Sequence, residues 1–306
     1  MTTPAPYDRA PSAQLLRLLR PRGLLAPLLS LGDETTGGVG LDVHFRRNDE
    51  MHVYCGMTRL ITAQALWGGD VKLTAHRTYT SQACAQGLFR TWRAGEAGLG
   101  SALTTYVRGV KVGPRWTKAE GAIQMQWSRV RKPWMPIDRE VVLAHQVEAA
   151  ALPKVRSAHK ALTSVARGSR WAAPPAGGTE LDQLAIDSRG RLVLIELKDA
   201  SKSSADLYYA PLQLLHYVWI WHDAFDDVRD GVQALIDARV DAGLMPRVRR
   251  LGDGMRAVVG FGRDVRSPEV KRRYGGVLKI VNRHLPRGVG DVELWEHTGR
   301  RLRQVK

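Results

Sequence analysis

Residues 179–200 read TELDQLAIDSRGRLVLIELKDA. Two runs rich in Leu, Ile and Val flank a polar turn, a pattern that predicts a pair of strands. Asp187-Ser188-Arg189-Gly190 supplies the turn chemistry, with Gly190 suited to a positive φ. If Ser188, Arg189 and Gly190 form a three-residue loop, Asp187 pairs with Arg191, Asp182 faces Glu196 and Glu180 faces Lys198. Facing side chains of an antiparallel pair lie about 4.5–5.5 Å apart at Cβ. A slip of one residue still leaves the two carboxylates on neighbouring strands. Strand alternation puts Glu196 and Lys198 on one face. Carboxylates held this close repel unless a cation joins them. Mg²⁺ is the natural candidate, since it takes oxygen ligands and binds phosphate oxygens. A lysine two positions along sets an ammonium beside the attacking water or the scissile phosphate.

The charge balance points the same way. The 306 residues carry 46 Lys+Arg against 30 Asp+Glu, a net charge of +16, with a pI near 10.3. Such an excess suits a polyanionic partner, nucleic acid or an acidic membrane; an Arg-rich bias without any partner is the alternative. Two cysteines, Cys55 and Cys84, cannot build a disulfide framework or a four-thiolate zinc site, and they imply a reducing, cytoplasmic setting. No run of 18 apolar residues is present, so no membrane span is expected. The leucine- and arginine-rich segment SAQLLRLLRPRGLLAPLLSL (12–31) is broken by Arg17, Arg20, Pro21 and Arg22, which argues for a short packed helix rather than a secretory signal.

Texture divides the chain at 137/138. Residues 1–137 are expected to form a β-rich domain that helps engage nucleic acid. LDVHFRRNDEMHVYCG reads as a hairpin turning at Asn48-Asp49, with His44 and His52 on either side. VKLTAHRTYT, ALTTYVRGVKV and AIQMQWSRV extend the strand pattern. Trp67, Trp92, Trp116, Trp127 and Trp134 are mainly core candidates, with Trp92 or Trp116, beside Arg90, Arg93 and Arg115, as candidates for stacking on bases. RKPWMP (131–136) reads as a linker. Residues 138–306 predict a helix from Asp138 to about Leu152, where Pro153 disturbs it, then a second helical stretch, the strand pair, two helices, a strand over MRAVVGFG, a helix capped by Ser267-Pro268 and a strand over DVELWEH. The result is an α/β fold with a mixed sheet between helices.

Asp182 followed by Glu196-Leu197-Lys198 resembles the signature of the PD-(D/E)XK nuclease superfamily, an Asp on one strand and Glu-x-Lys on the next. Glu148 best matches the acidic residue that the family places on the preceding helix, with Glu140 as second choice. QLLHY supplies Gln213 and Tyr217, which match the Q-x-x-x-Y helix of the branch containing bacterial recombination nucleases and, four apart, share a helical face. Leu181 stands where the family often has proline. The resemblance covers roughly 138–306. It implies a restriction-endonuclease-like fold and an enzyme that hydrolyses phosphodiester bonds of DNA, with RNA left open. It further implies Mg²⁺ or Mn²⁺ held by Asp182, Glu196, the Leu197 main-chain carbonyl and Glu148, with Lys198 assisting the attacking water.

Blander roles exist for the same residues. Asp182 and Lys198 could form a structural ion pair with Glu180 in support. Glu148 could be solvated, and Gln213 and Tyr217 could belong to the core or its rim. His216 and His222 sit on an apolar aromatic helix, where a satisfied buried histidine is the commoner case. RVRKP, RVRR, KRR and RRLRQVK read as salt-sensitive contacts to a phosphate backbone. No phosphate loop, H-E-x-x-H, G-x-S-x-G or Cys-x-x-Cys motif is present. The rival function is a catalytically silent or partner-dependent nucleic-acid-binding protein on the same fold; a homodimer or larger complex is left open.

Overall fold

The computed structural model describes residues 7–31, 40–113, 120–130, 132–143, 145–169, 171–175, 180–199, 205–262, 267–298 and 301–305, with the side chains of 145–151 outside that description. The chain is mixed α/β and divides into two compact units, one of 8–125 with 231–247, the other of 1–7, 126–230 and 248–306. The division falls earlier than 137/138 and returns a later segment to the first unit, because strand pairing and helix packing, rather than composition, hold each unit together.

In the first unit, helices α1 (Ala13–Leu19) and α2 (Ala26–Ser30) precede strands β1 (Asp42–Arg46), β2 (Glu50–Cys55), β3 (Thr58–Ala65), β4 (Val71–Thr74) and β5 (Thr91–Trp92). These form one antiparallel sheet in sequential order. β1 and β2 turn at Asn48 and Asp49, both at positive φ (61° and 59°), and His44 pairs with His52 as expected from the sequence.

Two expected strands are helices instead, and a third is a strand only over Val71–Thr74. Past Thr74 the VKLTAHRTYT segment becomes the short helix α3 (Arg77–Thr80), capped by the His76 ring, which accepts from Thr78 N. ALTTYVRG belongs to α4 (Leu99–Gly109) and AIQMQWS to α5 (Glu120–Ser128). Buried Leu99, Leu103, Tyr106 and Val107 follow helical spacing. Thr and Val made these stretches look like strands, but Ala, Leu, Gln and Met favour helix and the packing face decided it.

In the second unit, β6 (Trp134–Val141) and the long α6 (His145–Ser169) lead to β7 (Leu181–Asp187) and β8 (Leu192–Lys198). Then follow α7 (Ala205–Tyr208), α8 (Ala210–Asp223), α9 (Phe225–Asp241), β9 (Met255–Phe261), α10 (Pro268–Asn282), β10 (Glu293–Thr298) and β11 (Arg301–Val305). The sheet order is β11-β10-β9-β8-β7-β6, parallel at β8/β9 and β9/β10 and antiparallel elsewhere. β8 lies inside it, and Leu192, Val193, Leu194 and Ile195 are fully buried, which is why this strand reads as an unbroken apolar run.

The helix expected from Asp138 starts only at His145, and Asp138 itself lies in a strand. β6 pairs with β7 at the sheet edge, with a register shift between Pro136 and Asp138. An edge position and a bulge are where a strand tolerates proline, so RKPWMP is not a linker through its length. Asp138 is buried rather than capping a helix, and its carboxylate accepts from the Tyr7 hydroxyl at 2.8 Å. α6 begins at His145 and passes through Pro153; one lost hydrogen bond does not end so long a helix once it has propagated. The RLRQV of the last basic cluster is the edge strand β11, where Arg303 is paired with the buried Glu296.

Two outcomes are expected from this fold. Burial, joined by the charges of Arg46 and Arg59, holds His52 down to about 4 despite its contact with Glu50. The unfolded chain therefore binds more protons between about pH 4 and 6.5, and stability falls as pH drops through that window. His52→Gln should flatten the slope of unfolding free energy, removing at most about 3 kcal/mol of pH dependence in urea titrations. A Cβ at Gly260 would stand 2.5 Å from the Trp127 ring and 2.7 Å from Leu197. Gly260→Ala should cost about 1–3 kcal/mol by overpacking, read from the same titrations.

Candidate active site

The site is built by the β7–β8 hairpin. Asp187 N donates to Arg191 O and Gly190 N to Asp187 O, each at 3.0 Å, closing the three-residue loop. Gly190 has φ 82°, and a Cβ there would come within 2.2 Å of Arg250 O. The ladder pairs Gln183 with Ile195, Leu184 with Leu194 and Ala185 with Val193. One step further along the same register brings Asp182 opposite Glu196. The expected register is the observed one.

Asp182 Oδ2 accepts from Leu197 N at 2.7 Å, so one carboxylate oxygen is tethered to the main chain of the neighbouring strand. Glu196 is 3% exposed, and its Oε1 receives a hydrogen bond from Lys198 Nζ at 2.6 Å. This is the same-face relation that alternation predicts. The ion pair joins Lys198 to Glu196. The lysine side chain is one-fifth exposed, so it lies between the buried carboxylate and solvent.

α8 closes one side. Pro211 lies in its first turn, where a missing N–H costs nothing. The Tyr217 hydroxyl accepts from Glu180 N at 3.2 Å and so holds the entry to β7. Burial, then the charges of Glu196 and Asp182, push the Tyr217 phenol well above its ordinary range. The phenol keeps its proton beside both carboxylates. Gln213, one turn earlier, is partly buried, and its Oε1 has no hydrogen-bond partner among the described residues. His216 is buried and stacks on Tyr217, ring centroids 6.0 Å apart.

Tyr274 was not expected here. It is buried on α10, and burial together with the charge of Glu196 pushes its phenol up strongly. In sequence it sits in the stripe Val270, Tyr274, Val277, Val281, which reads as the buried face of a helix. Its hydroxyl was the only sign of a second role.

Other candidates fall elsewhere. Glu148 lies in α6, with its side chain outside the described residues. Glu140 lies on β6 at φ 52° and pairs with Arg139 at 3.2 Å, so it is not on the preceding helix. His222 is partly exposed, 3.5 Å from Asp223. Among the described residues no group of three or more His, Cys, Asp and Glu side chains is placed to hold a metal ion. The donor set around β7 and β8 nevertheless fits a hard divalent cation in type: two carboxylates from facing positions, next to a main chain that carries further oxygens.

No known protein family, no curated protein and no solved structure matches this chain.

Substitutions at Asp182 separate its charge from its tether. Asp182→Asn retains an oxygen for Leu197 N and should unfold within about 0.5 kcal/mol of wild type. Asp182→Ala loses the acceptor and should cost about 1–2 kcal/mol in urea unfolding.

Proposed function

We propose that the chain is a metal-dependent nuclease that hydrolyses phosphodiester bonds of DNA. The observation that supports this best is the placement of Asp182 and Glu196 on the neighbouring strands β7 and β8, with Asp182 bound to Leu197 N and the Lys198 ammonium on the Glu196 carboxylate. Asp182 and Glu196 would hold Mg²⁺ or Mn²⁺, with the Leu197 carbonyl and Glu148 as further donors. The ion, when bound, supplies Lewis-acid polarisation of the scissile phosphate.

The chain's own groups do the rest. Lys198 Nζ, turned partly to solvent, donates a hydrogen bond to the attacking water or to a phosphate oxygen and offsets charge that develops there. Tyr217 stays protonated and holds the Glu180 main chain, which fixes where Asp182 leaves the strand. Gln213 offers an amide oxygen to a water or a sugar hydroxyl. The net charge of +16 favours approach of a polyanion.

A second function has an observation in its favour. Asp182 is tethered to Leu197 N, Glu196 is paired with Lys198, and no third acidic or imidazole ligand joins them among the described residues. A nucleic-acid-binding protein that does not cut would carry the same contacts.

Cleavage of linear, circular, single- and double-stranded DNA, with RNA alongside, decides between them. With Mg²⁺ or Mn²⁺ the wild type should cut, EDTA should stop it, and Asp182→Asn and Lys198→Ala should each lower the rate by about 10²–10⁴. Binding without cutting under every metal condition, or equal cutting by the variants, would overturn the assignment.

A further inference from the structure

The first unit contains an open cavity of about 610 Å³, lined in part by Gln14, Arg17, Arg22, Trp67, Gly69 and Glu96. That volume lies in the range of small-molecule and nucleotide pockets. We propose that this cavity is a binding site for single-stranded nucleic acid, in which one unpaired base stacks on the Trp67 indole and Arg17 and Arg22 contact the flanking phosphates.

Trp67 carries the inference. It is 96% exposed, whereas Trp127, Trp134 and Trp221 are almost fully buried. It lies on a tight turn between β3 and β4 in which Gly68 and Gly69 both adopt positive φ (80° and 91°). The turn is fastened on two sides. Gln14 Nε2 donates to Leu66 O from α1, and Asp70 Oδ1 accepts from Ala94 N at 2.8 Å. A fastened turn holds the indole out where a base can reach it, and base-on-aromatic stacking tolerates any sequence because every base has a π-face.

The charges around it suit an anion. Glu96 is the acidic lining residue, and it is already held by the Arg90 guanidinium and by Arg93 N, which keep its carboxyl down to about 2. Arg17 and Arg22 are exposed and make no ion pair among the described residues. Two uncommitted guanidiniums beside an exposed indole match a nucleotide, with phosphate outside and base inside. Trp92, by contrast, is buried with the Arg90 guanidinium 3.7 Å over its ring, so that face is covered, and Trp116 lies outside the described residues.

The experiment measures binding in EDTA by fluorescence anisotropy, so cleavage does not enter and failure of the nuclease assignment is read separately. The probes are labelled oligothymidylate and oligouridylate of about 12 nucleotides, the same length of abasic deoxyribose-phosphate, and a duplex. Trp67→Ala should bind the single strands about tenfold more weakly, and Trp67→Phe should restore most of that loss. Abasic and duplex probes should bind both variants as they bind wild type. Arg17→Ala and Arg22→Ala should each lower the slope of log affinity against log salt by about 0.7 for single strands. Trp67 is exposed, so its loss should leave the unfolding midpoint unchanged. Unchanged single-strand affinity in Trp67→Ala, or an equal loss on the abasic probe, would overturn the proposal. Comparison of the thymidylate and uridylate arms shows whether DNA or RNA is preferred.

Discussion

Asp187 closes the β7–β8 turn while almost wholly buried, and the geometry of the second unit depends on how its charge is accommodated. Burial alone would raise its pKa. Hydrogen bonds from Arg191 and Arg189, and the Arg191 charge, outweigh burial and hold the carboxyl below its ordinary range. Arg256 stands 3.4 Å away on β9 and is itself paired with Glu293 at 2.7 Å. An anion clamped by two strands and a turn leaves no room for a register slip, since moving the hairpin by one residue would strand that charge in the interior. The position of Asp182 opposite Glu196 follows from this clamp at the far end of the same ladder.

At that far end the polar groups are arranged differently. Glu196 accepts from the Lys198 ammonium, and Asp182 accepts from the Leu197 N–H. Two protonated phenols stand close by, Tyr217 near enough to feel both carboxylates and Tyr274 near enough to feel Glu196. The site therefore holds one carboxylate beside a lysine ammonium and one bound to the main chain of the neighbouring strand. A carboxylate buried beside a lysine needs a cation at hand, so a metal ion that displaced the ammonium would have to take over its charge.

The legible parts of the sequence were those where one residue type carries one constraint. Gly190 and Asp187 gave the turn, the turn gave the register, and the register gave the facing carboxylates. Asn48-Asp49 and Ser267-Pro268 were read for the same reason. The errors came where tertiary contacts overrode local preference. Thr104, Thr105 and Val107 suggested a strand, but Leu99, Leu103 and Tyr106 had a core to face as a helix. Asp138 resembled an N-cap, yet its partner is Tyr7, far away in sequence. RLRQV looked like a phosphate-tracking cluster because its pairing with β10 depends on Glu296, which the sequence does not set beside Arg303. Trp67 was grouped with core tryptophans because exposure follows from the shape of a turn and not from its residue type.

The chain passes between the two units at 7/8, 125/126, 230/231 and 247/248, twice of these within the helices α5 and α9. During synthesis the β7–β8 hairpin is made before β9, its parallel neighbour, which follows residues 231–247 of the other unit in the chain. Until then one edge of the apolar strand β8 is open to pairing with another chain. The order of assembly is thus set by connectivity: the sheet that bears the carboxylates closes late, and any condition that slows residues 231–261 prolongs the interval in which nascent chains can associate.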